Sequence, residues 1–114
     1  MRKLALTAAI LLVTLGGVAT GQTAQARISR TDYVTRGLLC IHRYEGAWND
    51  HYAPYWGGLQ MDRNFMKAYG RRFYNRWGTA DHWPKWAQLQ AGRNGVHARG
   101  WNPWPNTARL CGLL

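Results

Sequence analysis

Acidic residues are scarce in this chain. Five Asp and Glu stand against 15 Lys and Arg, and Glu45 is the single glutamate in all 114 residues. Chemistry that needs two carboxyl groups must therefore draw on Glu45 and one of Asp32, Asp50, Asp62 and Asp81. Serine is scarcer still: only Ser29 is present, and no Gly-x-Ser-x-Gly elbow occurs, which excludes serine-hydrolase chemistry. The paired glycines Gly57-Gly58 are not followed by Gly-Lys-Ser/Thr, so they do not make a phosphate loop. The four histidines, at 42, 51, 82 and 97, lack metal-ligand spacing. No metal site and no cofactor are expected. Internal repeats, low-complexity tracts and interdomain linkers are absent as well.

The only long apolar run lies at the start. Met1-Arg2-Lys3 is basic, Leu4 to Val18 is largely apolar, and Ala24-Gln25-Ala26 is a small-x-small cleavage pattern. That order reads as a secretory signal peptide over 1–26. Gly16 and Gly17 interrupt a run that is already short for a membrane span. Residues 27–114 are then one small exported domain. Such a domain buries a limited fraction of its surface and benefits from a staple. Two cysteines remain in it, Cys40 and Cys111, and export implies an oxidising compartment, so one disulfide is expected.

What is abundant is positive charge and tryptophan. The formal net charge is +10, which draws the protein towards anionic polymers. Seven tryptophans, six tyrosines and two phenylalanines exceed what a small core needs. Several tryptophans are expected to line a groove, with one edge apolar and the indole N–H wet.

A helix is predicted from about Asp32 to about Tyr44, with Val34, Leu38 and Ile41 on one stripe. Four residues further along that stripe lies Glu45. The lone carboxyl is thereby expected at the C-terminal end of the buried face, a place for a general acid. Gly46 is placed to end the helix. Residues 47–60 read as a loop or short hairpin, with Asn49, Asp50 and Pro54 as turn formers. A second helix follows, capped by Asp62, with Phe65, Met66 and Tyr69 apolar and Gly70 closing it. Arg71, Arg72 and Arg76, interleaved with Phe73, Tyr74 and Trp77, are either a strand-binding surface for nucleic acid or a snorkelling face over the core, and the second is favoured. A third helix is predicted over Pro84 to Ala91, with Trp86 and Leu89 inward and Gly92 or Gly95 at its end. Trp101 to Asn106, with two prolines, is predicted to be an extended strap. Thr107 to Cys111 then returns to the first helix.

Cys40-x4-Glu45-Gly-x-Trp48, then Tyr55-Trp-Gly-Gly-Leu-Gln60-Met, then the tryptophan–proline strap and a terminal cysteine, form a set that resembles a known family. It is similar to the small secreted actinobacterial transglycosylase-like proteins related to resuscitation-promoting factors. The resemblance covers 31–114. It implies a mainly α fold, α+β at most: a trimmed lysozyme-like domain with a short hairpin or loop after the catalytic helix. By the same resemblance Glu45 is the catalytic acid, Tyr55 and Gln60 sit in a saccharide groove, and Trp48 and Trp56 wall it. Two departures stand out. The cysteine precedes the glutamate by five residues instead of one, a displacement of about one helical turn. The loop after Glu45 is also shorter than is usual in that family.

The function expected is cleavage of the peptidoglycan glycan strand, by lytic transglycosylation or as a lysozyme-like muramidase, outside the cell or at its wall. The expected partners are glycan strands and anionic wall polymers, with no specific nucleic acid, and the chain is expected to act as a monomer. The alternative is a non-catalytic, cationic peptidoglycan-binding module.

Overall fold

The computed structural model describes residues 32–114, and Tyr33–Leu114 form one compact unit. The expected leader, 1–26, and residues 27–31 lie outside the described residues. Helices account for the regular structure, and the only β pairing among the described residues is an isolated antiparallel bridge between Trp56 and Met61. The fold is thus mainly α. No helix among the described residues is long and apolar enough to cross a membrane.

Helix α1 covers 32–45, with Leu38 and Ile41 fully buried and Val34 packed at the edge of the core. The predicted stripe is the face it buries. After a run of turns, α2 spans Arg63–Tyr69. Asp62 caps it by accepting from the Phe65 N–H at 2.7 Å, and the Gly70 N–H closes it on the Met66 carbonyl. Phe65 and Met66 are its buried residues, as the spacing predicts.

Gly70 does not end the helical region. It is also the N-cap of α3, Arg71–Trp77, which buries Phe73. Here the snorkelling reading describes the geometry. The guanidinium of Arg72 lies 4.9 Å from the Phe73 ring centroid, and that of Arg76 lies 4.9 Å from the centroid of Trp77. A single 3₁₀ turn, Ala80–His82, leads to α4.

Helix α4 runs Lys85–Arg99, eight residues past the expected end at Ala91. Gly92 and Gly95 lie inside it and are buried. They are there for closeness rather than for termination: a Cβ on Gly92 would stand 2.7 Å from Leu59 Cδ1, and one on Gly95 would strike the Phe65 ring. This long helix is the floor on which α1, α2 and the turn region rest. Its outward face carries Trp86, which is 56 % exposed against the expectation that it points inward, while Leu89 is buried. Trp86 packs edge-on to Phe73 and Trp77 instead.

The segment 101–104 is a turn, not an extended strap, and Pro105 opens a fifth helix, α5, Pro105–Leu110. Proline at the first helical position lacks only an N–H that would be unpaired there anyway. Trp104 is buried, and its indole N–H donates to the Leu59 carbonyl at 2.7 Å. Cys111, just past α5, forms the expected disulfide with Cys40 of α1, bridging 71 positions of sequence.

Candidate functional site

Glu45 sits at the last helical position of α1, half-buried, where the chain turns into 46–60. Its carboxyl opens into a cleft of about 220 Å³ lined also by Tyr55, Gln60, Trp104, Pro105 and Thr107. Thr107 Oγ1 donates to Glu45 Oε1 at 2.9 Å. That bond occupies Oε1 and leaves Oε2 for other partners. Thr107 belongs to α5, and its own carbonyl accepts the Cys111 N–H at 3.0 Å. The disulfide therefore ties together the two helices that supply the carboxyl group and its hydrogen-bond donor.

The opposite wall is the turn region. Gln60 is held in the left-handed region, at φ 50°, an unusual conformation for a residue with a side chain. Its amide nitrogen donates to Asp50 Oδ2 at 2.9 Å and to the Gly57 carbonyl at 3.0 Å. Both amide hydrogens are thereby spent, and the amide oxygen is the atom left to meet a ligand. Asp50 is engaged from two sides, since its other oxygen accepts from the Tyr52 N–H at 3.4 Å, and it does not line the Glu45 cleft. Asp62, the α2 cap, lines a second depression of about 190 Å³ that shares Tyr55, Gln60, Pro103 and Trp104 with the first. The two together make one groove across the face.

Beneath the turn region lies Gln88 of α4, fully buried. Its amide oxygen accepts the Gly58 N–H at 2.8 Å, and its amide nitrogen lies within 2.9 Å of the Trp48 and Ala80 carbonyls and 3.2 Å of the Trp83 carbonyl. No buried side-chain nitrogen or oxygen among the described residues is left without a partner. One glutamine thus satisfies backbone groups from three separate turns, where each orphan would cost about 1–3 kcal/mol. His42 of α1 adds a further tie, its Nδ1 donating to the Gly58 carbonyl at 3.0 Å.

Of the five residues expected in the site, Glu45, Tyr55 and Gln60 come together in the cleft. The two tryptophans do not. Trp56 is only 7 % exposed and pairs with Met61 in the core, with the Arg63 guanidinium 5.1 Å from its centroid. Trp48 is half-buried, stacked on His42 at 3.9 Å with the Lys85 ammonium 5.3 Å from its centroid. The tryptophan that does line the groove is Trp104, from the far end of the chain. Thr107 and Gln88 were not among the expected residues. Among the described residues no group of three or more His, Cys, Asp and Glu is placed to hold a metal ion.

Compared with protein-family models, curated sequences and solved structures, the chain matches none of them.

Proposed function

We propose that this protein is a secreted or wall-associated enzyme that cleaves the peptidoglycan glycan strand, a lytic transglycosylase or lysozyme-like muramidase on a trimmed lysozyme-like fold, with Glu45 as general acid and base. The observation that carries this reading is the lone Glu45 carboxyl at the end of α1, half-buried in a groove that it shares with Tyr55 and Gln60 and fixed there by Thr107. Residues 27–114 hold 13 Lys and Arg against 5 Asp and Glu, a net charge of +8, which supports association with anionic wall polymers.

A double-displacement or inverting glycosidase uses two carboxyl groups flanking the scissile bond. Asp50 is committed to orienting Gln60, and Asp62 to capping α2. A one-carboxyl route fits this arrangement better. Glu45 Oε2 gives its proton to the glycosidic oxygen as the C1–O bond breaks, and the leaving sugar departs as an alcohol. The carboxylate then removes the proton from the C6 hydroxyl of the sugar that retains C1, as that oxygen closes on C1. The products are a 1,6-anhydro end and a regenerated Glu45 acid. Water in place of the C6 hydroxyl gives a reducing end by the same proton transfers. The Thr107 hydroxyl keeps one carboxyl oxygen in place through both steps.

Release of soluble muropeptides from purified peptidoglycan tests the assignment. Wild-type protein is expected to release them and Glu45→Gln to release none while still binding insoluble wall. Equal release by Glu45→Gln would remove Glu45 from the chemistry. Wall binding with no release by wild-type protein would favour the non-catalytic binding module.

A further inference from the structure

The groove is short of charge in a protein that is otherwise crowded with it. Its two depressions are lined by only three charged residues: Glu45 in one, and Asp62 and Arg99 in the other. Asp62 is committed to the Phe65 N–H. Arg99 is different. It is exposed in the last turn of α4, and no ion pair engages its guanidinium among the described residues. Its backbone carbonyl accepts from the Asn102 side chain at 3.0 Å, which ties the start of the 101–104 turn to the end of α4 and sets Asn102 beside it on the rim. Every other Lys and Arg of the described chain is kept out of the groove lining.

A guanidinium presents a planar fork of donors suited to bidentate recognition of a carboxylate. The depression around it is mostly polar in its lining, with Tyr55, Gln60 and Asn102 beside Arg99, so a carboxylate there is met by hydrogen-bonding neighbours as well as by charge. We infer that the depression holding Arg99 is a substituent site, taking a carboxylate carried on the sugar next to the one at Glu45, so that the groove selects glycans bearing acidic side groups over neutral ones of the same backbone. This rests on the glycan reading of the Glu45 cleft and adds a selectivity to it. Two carboxylates of the strand have this chemistry: the lactyl group of an unsubstituted muramic acid and the carboxylates of a peptide stem.

Binding to Glu45→Gln protein, measured by titration calorimetry at low salt, tests the assignment without turnover. Three probes are needed: a neutral N-acetylglucosamine tetrasaccharide, an alternating tetrasaccharide with free lactyl carboxylates, and the same alternating chain carrying tetrapeptide stems. At least one acidic probe is expected to bind about tenfold more tightly than the neutral one, the size of one partly solvated charged contact. The preference is expected to shrink as salt is raised. Adding Arg99→Gln is expected to bring that probe down to the neutral affinity and leave the neutral probe unchanged, while Arg99→Lys keeps part of the preference. Which acidic probe responds identifies the carboxylate. Equal affinity for all three probes overturns the Arg99 assignment alone. So does a preference that survives Arg99→Gln, or an equal weakening of all three, which would mark a structural role. If no probe binds, the glycan reading of the groove falls as well.

Discussion

The two walls of the groove are built by different physics. The wall formed by 46–60 is polar in its support. It has few core side chains before Trp56, and hydrogen bonds from Gln88, Gln60, Asp50 and His42 decide its path. The wall formed by 101–107 is held by burial of Trp104, by one indole bond to Leu59 and by the disulfide just beyond it. Burial is tolerant of small displacements, because apolar contact has no direction. Hydrogen-bond geometry is directional and fails steeply with angle. The wall that must present Gln60 in a fixed orientation is therefore the one built on hydrogen bonds, and the wall that presents flat surface is the one built on packing.

That contrast is open to attack at both ends. Gln88→Met keeps the side chain's length and leaves the Gly58 N–H and the Trp48 and Trp83 carbonyls to find other partners, while the Ala80 carbonyl keeps the Trp83 N–H. We expect a loss of about 3–5 kcal/mol by denaturant unfolding, on the scale of the unsatisfied groups created. A loss below about 1.5 kcal/mol, the usual cost of a volume-conserving core swap, would show that packing and not polar satisfaction holds this wall. Trp104→Ala should cost a comparable 3–5 kcal/mol or so, through the cavity it leaves. Its signature differs, since the loss scales with the volume removed, so Trp104→Phe should recover more than half of it.

Removing the disulfide with Cys40→Ala and Cys111→Ala comes next in size. For a separation of 71 positions the chain-entropy model gives about 4 kcal/mol, less whatever the native state regains on relaxing. The expected readout is a lower unfolding midpoint with activity intact well below it, because Trp104 still seats the second wall.

The smallest effect on stability and the most informative on function is Thr107→Val. It removes one hydroxyl from a half-buried site, a change of about 1 kcal/mol in stability. Initial rates of wall solubilisation should fall about tenfold with little change in apparent KM, and Thr107→Ser should restore most of the rate. An unchanged rate in the valine variant would mean that the bond to Glu45 Oε1 does not orient the acid.

The same contrast governs how much of the molecule is legible in the sequence. Helix α1 and its stripe and the Asp62 cap can be read from periodicity and capping chemistry, the pairing of Cys40 with Cys111 from the count of two cysteines, and the meeting of Glu45, Tyr55 and Gln60 from the family resemblance. Each of those signals is local or carried by a rare residue type. Glycine misleads. Gly70 closes α2 as expected, but Gly92 and Gly95, expected at the end of the third predicted helix, mark contact with Leu59 and Phe65 inside α4. A glycine needed for close approach has the same letter as one needed for a turn, and only the partner distinguishes them. Tryptophan misleads in the same manner: Trp56, within the motif, is buried, whereas the more distant Trp104 lines the groove. Thr107 and Gln88 are ordinary polar letters whose meaning depends on contacts 62 and 30 positions away.

The central claim is that one carboxyl group, fixed by Thr107 and unaided by a second, cleaves a glycan strand. Mass spectrometry of the products of a purified wall digest reads this most directly. The account predicts new glycan ends in the wild-type digest, 1,6-anhydromuramoyl where the C6 hydroxyl attacks and reducing where water does, and none with Glu45→Gln. New ends of either kind produced equally by the Glu45→Gln protein, or a wild-type digest with no new glycan ends at all, would contradict it.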